Sequence, residues 1–305
     1  TGFTNTMPFI QLEHLNVHYE HQSNGDIPII LLHGNFGSWH YWQPFLQQLP
    51  NGFQGYAPDF RGCGDSEVTS SGYDIETLSE DILQFADQLK LDKFHLVGHS
   101  LGGAVAQQLA GTNADRIITL TLVAPAPAEG MASLKNISNQ SSFFSPEHIF
   151  HFLGTIGLKR KLLMTSFKKA MPRLNYNKFY LNLIVEDALK MDIKAFNGFL
   201  STLKKWNGTH LLKHFKFPVL IMHGDLDSVI PLQPLKNMQQ HIDNCRFHTF
   251  HGIGHSPQLE QPKAFNKVLT AFMEGHKIEP ITEESFKKPL SLFAQLKLKL
   301  KRIFK

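Results

Sequence analysis

Cysteine is almost missing from this chain: it has two in 305 residues, Cys63 and Cys245. Two thiols make no disulfide framework, so a packed core must hold the fold, and the count fits a reducing, cytoplasmic setting. Long apolar runs are missing too, and no stretch approaches the roughly 20 residues of a membrane-crossing helix. The first residues lack a basic start followed by an apolar segment, so no secretory signal is expected there. No internal repeat and no low-complexity tract occurs. The chain holds 17 His, yet no His/Cys group has metal-ligand spacing. No metal and no cofactor is therefore expected, and with no recognition motif in view, no nucleic-acid partner. What remains is a globular chain long enough for one large core plus an inserted subdomain.

The net charge of +4 hides an asymmetry. Residues 285–305 carry seven Lys/Arg and no acid, and residues 145–216 carry thirteen against four. The remainder holds ten basic residues against twenty-two acidic ones. Blocks of one sign speak of partners more than of fold.

Short apolar runs alternate with helix-period segments over the first 125 residues. Strands are expected at Asn16–His21, Ile27–Leu32, Tyr56–Arg61, Phe94–Gly98 and Ile117–Val123, and helices at Tyr73–Leu89 and Leu101–Gly111. Such alternation predicts an α/β fold, a mostly parallel central sheet with helices on both faces. From about Pro127 to Trp206 the strand pattern stops and helix-like stretches follow one another. Strands resume at Phe217–His223 and Phe247–Phe250, before a helix at Pro262–Glu274. The expected organisation is a core in two parts, 1–128 and 213–280, with a helical cap inserted at 129–212 and a tail at 281–305. On a helix, Leu292, Phe293, Leu296, Leu300, Ile303 and Phe304 of that tail share one face and Lys297, Lys301, Arg302 and Lys305 the other. A basic amphipathic helix of this kind docks reversibly on an anionic membrane surface, or packs on its own core or a second subunit.

The main chemical signal is Gly98-His99-Ser100-Leu101-Gly102, a G-x-S-x-G pattern between a strand and a helix. There a serine sits on a tight turn with its hydroxyl exposed, and flanking glycines let backbones pack close. On these residues the chain resembles the capped α/β-hydrolase family. A serine hydroxyl needs a base, and the base an orienting acid. The resemblance implies the chain order Ser, acid, His. It points to His255 in Gly252-Ile253-Gly254-His255-Ser256-Pro257 as base, and to Asp227 in His223-Gly224-Asp225-Leu226-Asp227 as acid, leaving Asp225 to turn hydrogen bonds. It also implies two backbone donors for a developing oxyanion: Leu101 N–H, and Asn35 N–H in the loop after His33-Gly34. Asn35 also reads as a plain turn residue. Phe36, Trp39 and His99 are candidates for contact with substrate. The segment Pro58–Ser66 reads as a charged loop that braces the sheet edge.

Dehalogenases and epoxide hydrolases of the family use a carboxylate nucleophile, where position 100 holds Ser. Carbon–carbon bond hydrolases usually carry an aromatic after the His, where Ser256 stands. Cleavage of a carboxylic ester with an apolar acyl group, through an acyl-enzyme at Ser100, is the expected activity, with a small-molecule ester as partner. Thioester or carbon–carbon cleavage by the same trio, or a receptor of low turnover, are the alternatives. Nothing in the sequence sets the oligomeric state.

Overall fold

A computed structural model describes residues 8–131 and 158–278. The expected tail helix, and residues 132–157 of the expected helical cap, lie outside the described residues. Eight strands form one sheet: β1 Phe9–Gln11, β2 Asn16–Ser23, β3 Ile27–Leu32, β4 Phe53–Pro58, β5 Phe94–His99, β6 Ile117–Val123, β7 Val219–Gly224 and β8 Cys245–Phe250. Their spatial order is β1-β2-β4-β3-β5-β6-β7-β8. β2 runs antiparallel to β1 and to β4, and every other pairing is parallel. Successive side chains of a strand point to opposite faces. Ile29, Ile30, Leu31 and Leu32 are all inaccessible, as are Val219 through Met222, so the central strands are covered on both faces. That is why they read as unbroken aliphatic runs rather than alternating ones.

The helices of the first part are α1 Gln43–Leu46, α2 Ile75–Gln88 and α3 Leu101–Thr112. α3 packs on β3, β5 and β6, and on α2. Asp74 caps α2 by accepting Thr77 N–H at 2.8 Å. Between β6 and β7 the described residues hold helices and no strand: α4 Lys159–Ala170, α5 Lys178–Lys190 and α6 Ile193–Lys205. α4 packs on α5, and Arg160 pairs with Glu186 across them. Further on come α7 Leu232–Gln240, packed on β7 and β8, and α8 Pro257–Glu260. From Lys263 the chain forms a second compact unit, described as far as residue 278, and its helix α9, Pro262–Met273, buries Phe265, Val268, Leu269 and Phe272.

The expected strand at Tyr56–Arg61 lies three residues earlier, at Phe53–Pro58. The strand ends there although Asp59 N–H still donates to His18 O of β2 at 2.9 Å, because the Asp59 side chain is committed to the loops on either side. That side chain takes Trp39 N–H at 2.7 Å and Asp65 N–H at 3.2 Å, and meets His18 Nδ1 at 2.7 Å. Arg61 then grips Asp81 of α2 through two bonds of 2.8 and 2.6 Å. The short strand β1 and helix α7 were not expected from the sequence. Among the described residues no helix is long and apolar enough to cross a membrane.

Candidate active site

β5 ends at His99, α3 begins at Leu101, and Ser100 alone makes the turn between them. Its φ of 54° and ψ of −114° are a conformation that L residues avoid, so strain is stored at this one residue. The surroundings hold it there: Ser100 N–H donates to Val123 O at 3.1 Å, and Ser100 O accepts from Gly103 and Ala126 N–H at 3.0 and 2.9 Å. A Cβ on Gly98 would meet the carbonyl of Gly102, and one on Gly102 the carbonyls of Leu32 and His33. Both glycines thus permit helix and strand to touch backbone to backbone. Leu101 N–H, first in the helix, has no carbonyl partner within it.

His255 follows β8 on a loop, and Asp227 follows β7. His255 Nδ1 lies 2.9 Å from Asp227 Oδ2, and the Asp227 side chain is fully buried. The other oxygen, Oδ1, accepts Val229 and Ile230 N–H at 2.7 and 3.1 Å. Burial pushes the Asp227 carboxyl up, but the His255 imidazole and the two N–H donors outweigh it and hold it below its ordinary value. Asp225 instead accepts Gly252 N–H at 2.7 Å and meets His251 Nδ1 at 3.0 Å.

His99 connects the serine turn to the His255 loop. Its Nε2 lies 3.0 Å from His255 O and its ring 4.8 Å from the His255 ring. The other ring nitrogen is buried without a hydrogen bond, and burial pushes the imidazole down to about 3, so it stays neutral. Ser100 is half-buried, and among the described residues its hydroxyl makes no hydrogen bond. The structure thus brings Asp227 and His255 into contact, and His255 beside the residue preceding Ser100, but not imidazole and hydroxyl within bonding distance.

The loop after β3 is a turn closed by Gly37 N–H to Gly34 O at 3.1 Å. Phe36, third in this turn, has a φ of 61°, where glycine is favoured. His33 Nε2 accepts Phe60 N–H at 3.0 Å, which leaves Nδ1–H to donate to Gly34 O at 2.8 Å. Two donors therefore fix Gly34 O. Asn35 N–H belongs to the same planar peptide and points the opposite way, so its direction is fixed too. Phe36 N–H is occupied by Asn35 Oδ1 at 2.9 Å, while among the described residues Asn35 N–H has no acceptor. Phe36 packs its ring on Phe196 of α6 at 5.3 Å and near Phe167 of α4 at 6.4 Å. Trp39 is buried.

Two buried carboxylates escaped the sequence reading. Glu260 Oε1 accepts Gly254 and Ser256 N–H at 3.0 and 3.2 Å, on either side of His255, and its Oε2 accepts Arg173 N–H at 3.1 Å. His255 N–H itself donates to Ala170 O, the last residue of α4, at 2.9 Å. Asp187 of α5 reaches Ser38 and His40 beyond the β3 turn. Glu260 had a local signal, since Ser256-Pro257 four residues before a Glu resembles a helix start with a carboxylate reaching back. Asp187 had none, its partners lying 147 and 149 residues away. Among the described residues no group of three or more His, Cys, Asp or Glu could hold a metal ion.

A family profile described as alpha/beta hydrolase fold matches residues 27–262. The chain is similar to the AB hydrolase superfamily protein YisY of Bacillus subtilis, 27% identical over 271 residues that cover 85% of this chain and 96% of that one. It is similar to a soluble epoxide hydrolase of Corynebacterium sp. over a shorter stretch, 36% identical over 107 residues, 35% of this chain and 37% of that protein. Among solved structures, a thermophilic esterase from Thermogutta terrifontis superposes with a TM-score of 0.75 at 20% identity, over 88% of this chain and 98% of that one. With a profile match that runs from β3 through α8, on a sheet with the serine turn at the C-terminal end of β5, this chain belongs to the α/β-hydrolase fold family.

Proposed function

We propose that the chain is a serine hydrolase that cleaves a carboxylic ester with an apolar acyl group. The observation that carries this reading is a serine, not a carboxylate, on the strained turn, next to a buried imidazole–carboxylate pair. Ser100 Oγ attacks the carbonyl carbon as its proton passes to His255 Nε2. Asp227 holds Nδ1–H and balances the imidazolium. The oxyanion is met by Asn35 and Leu101 N–H, fixed before the reaction begins. Collapse breaks the ester C–O bond, and the leaving alkoxide takes the proton from Nε2. Water then attacks the acyl-enzyme, gives its proton to the same nitrogen, and Ser100 leaves with it. The reading requires hydroxyl and imidazole to close to about 3 Å with substrate bound, and such bonds are often longer in the free enzyme. Phe36, Phe167 and Phe196 form an aromatic group beside the donor turn, which favours an apolar acyl chain. The similarity to an epoxide hydrolase does not carry over to the chemistry, because an epoxide-opening enzyme of this kind needs a carboxylate where Ser100 stands.

Turnover of p-nitrophenyl acyl esters and thioesters, scanned by chain length, is the test. Wild-type protein is expected to hydrolyse esters and to be labelled by a fluorophosphonate. Ser100→Ala is expected to lose both while keeping its circular dichroism. Undiminished turnover by Ser100→Ala would overturn the assignment, and labelling without turnover on any ester would favour a receptor.

The same reading takes in a lipid-derived ester, presented at an anionic bilayer surface. Leu158, Leu162 and Phe179 are exposed on α4 and α5 or beside them, among Lys161, Lys168, Lys169 and Lys178, which are exposed as well.

A further inference from the structure

Asp187 is a buried carboxylate, 3% exposed, on α5 of the inserted helical segment. Its partners belong to the other part of the molecule. Ser38 Oγ–H donates to Oδ2 at 2.7 Å, and His40 Nδ1 lies 3.0 Å from both oxygens. Ser38 Oγ also accepts His40 N–H at 3.1 Å, which caps the 3-10 turn Trp39–Trp42. Ser38 is itself 1% exposed. A carboxylate that far from water is stable only with its oxygens satisfied, and these three contacts satisfy them.

Ser38 directly follows Gly37, whose N–H closes the Gly34–Gly37 turn onto Gly34 O. Gly34 O and Asn35 N–H lie in one peptide plane, so whatever holds Gly37 in place also aims Asn35 N–H. Asp187 holds the residue next to it. The strained φ of Phe36 shows that the turn does not adopt this form by backbone preference alone, and needs fixing from outside.

We propose that Asp187 is a positioning residue: from the inserted helices it clamps Ser38 and His40 and thereby aims the Asn35 N–H at the oxyanion. The proposal rests on the serine-hydrolase reading above. The inserted segment then supplies part of the electrostatics of bond cleavage and not only a roof over the substrate.

The test compares wild type, Asp187→Ala, Asp187→Asn, Ser38→Ala and the Asp187→Ala/Ser38→Ala double variant. Each is assayed for kcat and KM on the best p-nitrophenyl ester and for inhibition by a trifluoromethyl ketone with the same acyl chain. That ketone forms a tetrahedral adduct bearing the oxyanion. Loosening one oxyanion donor is expected to lower kcat by about 10- to 100-fold. Ketone affinity should fall in parallel, and KM should change by less than about threefold. Asp187→Asn keeps an acceptor for Ser38 Oγ–H and should recover part of the loss. The double variant should be no worse than the poorer single one, since both cut the same link. A merely structural role would lower the melting temperature without moving ketone affinity in the folded fraction. Should Asp187→Ala fail to fold, Ser38→Ala carries the same comparison. Unchanged kcat and ketone affinity in Ser38→Ala and in every folded Asp187 variant, with Ser100 still essential, would overturn the proposal and leave the serine chemistry standing. Turnover surviving Ser100→Ala would remove the reading beneath it.

Discussion

Burial pushes the Glu260 carboxyl up to about 7 from a value of 4.5, even though three backbone N–H groups and His255 favour its charged form. The sign of the effect on stability follows. Between about pH 4.5 and 7 the folded chain keeps a proton that the unfolded chain has released, so stability falls as pH rises through that window. Asp227 works the other way: with its folded value depressed, its contribution is present above the unfolded value of 3.8 and is lost as pH falls through the folded one. Glu260→Gln cannot titrate. The stability advantage of wild type over Glu260→Gln should therefore shrink by about 1–3 kcal/mol from pH 4.5 to pH 8, read from urea unfolding at each pH. A difference that stays flat across this range would show that the carboxyl is not held in its neutral form. Residues of this kind are illegible from sequence because burial decides their behaviour. Asp187 is written like any helix acid, and only the fold brings Ser38 beneath it. Ser100, Asp227 and His255 could be picked out as candidates because each stands in a short motif next to an expected strand.

Single elements explain which parts of the fold could be read in advance. β3, β5 and β7 are buried on both faces, and their sequences carry that as uninterrupted apolar runs. β1 has three residues, too few for any period, and β4 is expected too late because Gln54 and Gly55 break the apolar pattern at its start, while Phe60 extends it past Pro58, where the strand ends. The serine turn is a tightly constrained junction. Adding one methyl at Gly102 would press it on backbone carbonyls of Leu32 and His33, atoms with no rotamer to yield. Gly102→Ala is expected to cost about 1–3 kcal/mol or more in urea unfolding and to lower fluorophosphonate labelling of Ser100 in the protein that remains folded. Unchanged stability and labelling together would mean that β3 and α3 are less tightly apposed than described.

For the molecule as a whole, the sign of charge is divided: the inserted segment is basic and the remainder outside it and the tail is acidic. If the exposed lysines of α4 meet an anionic bilayer, Lys161→Glu together with Lys168→Glu should weaken cosedimentation with phosphatidylserine vesicles by about 10-fold or more at low salt, each Lys near such a surface adding about 1 kcal/mol. Hydrolysis of a water-soluble ester should change little. Removal of residues 285–305 is expected to act in the same direction. Wild-type binding no stronger to phosphatidylserine than to phosphatidylcholine vesicles would dispose of the bilayer as partner. The division of charge was plain in the sequence, whereas the exposed Phe179 and Leu162 beside it were not, since helical period alone does not say which apolar residues stay outside.

The bond from His255 N–H to Ala170 O has a bearing on how such proteins diversify. A graft that exchanged residues 129–212 for the equivalent stretch of a cousin would replace the inserted helices and, in the same stroke, delete a carbonyl that anchors the His255 loop. Chimeras that supply a carbonyl at that spot should keep their speed while changing their preferences. Those that do not should lose both, however well the new roof fits its guest.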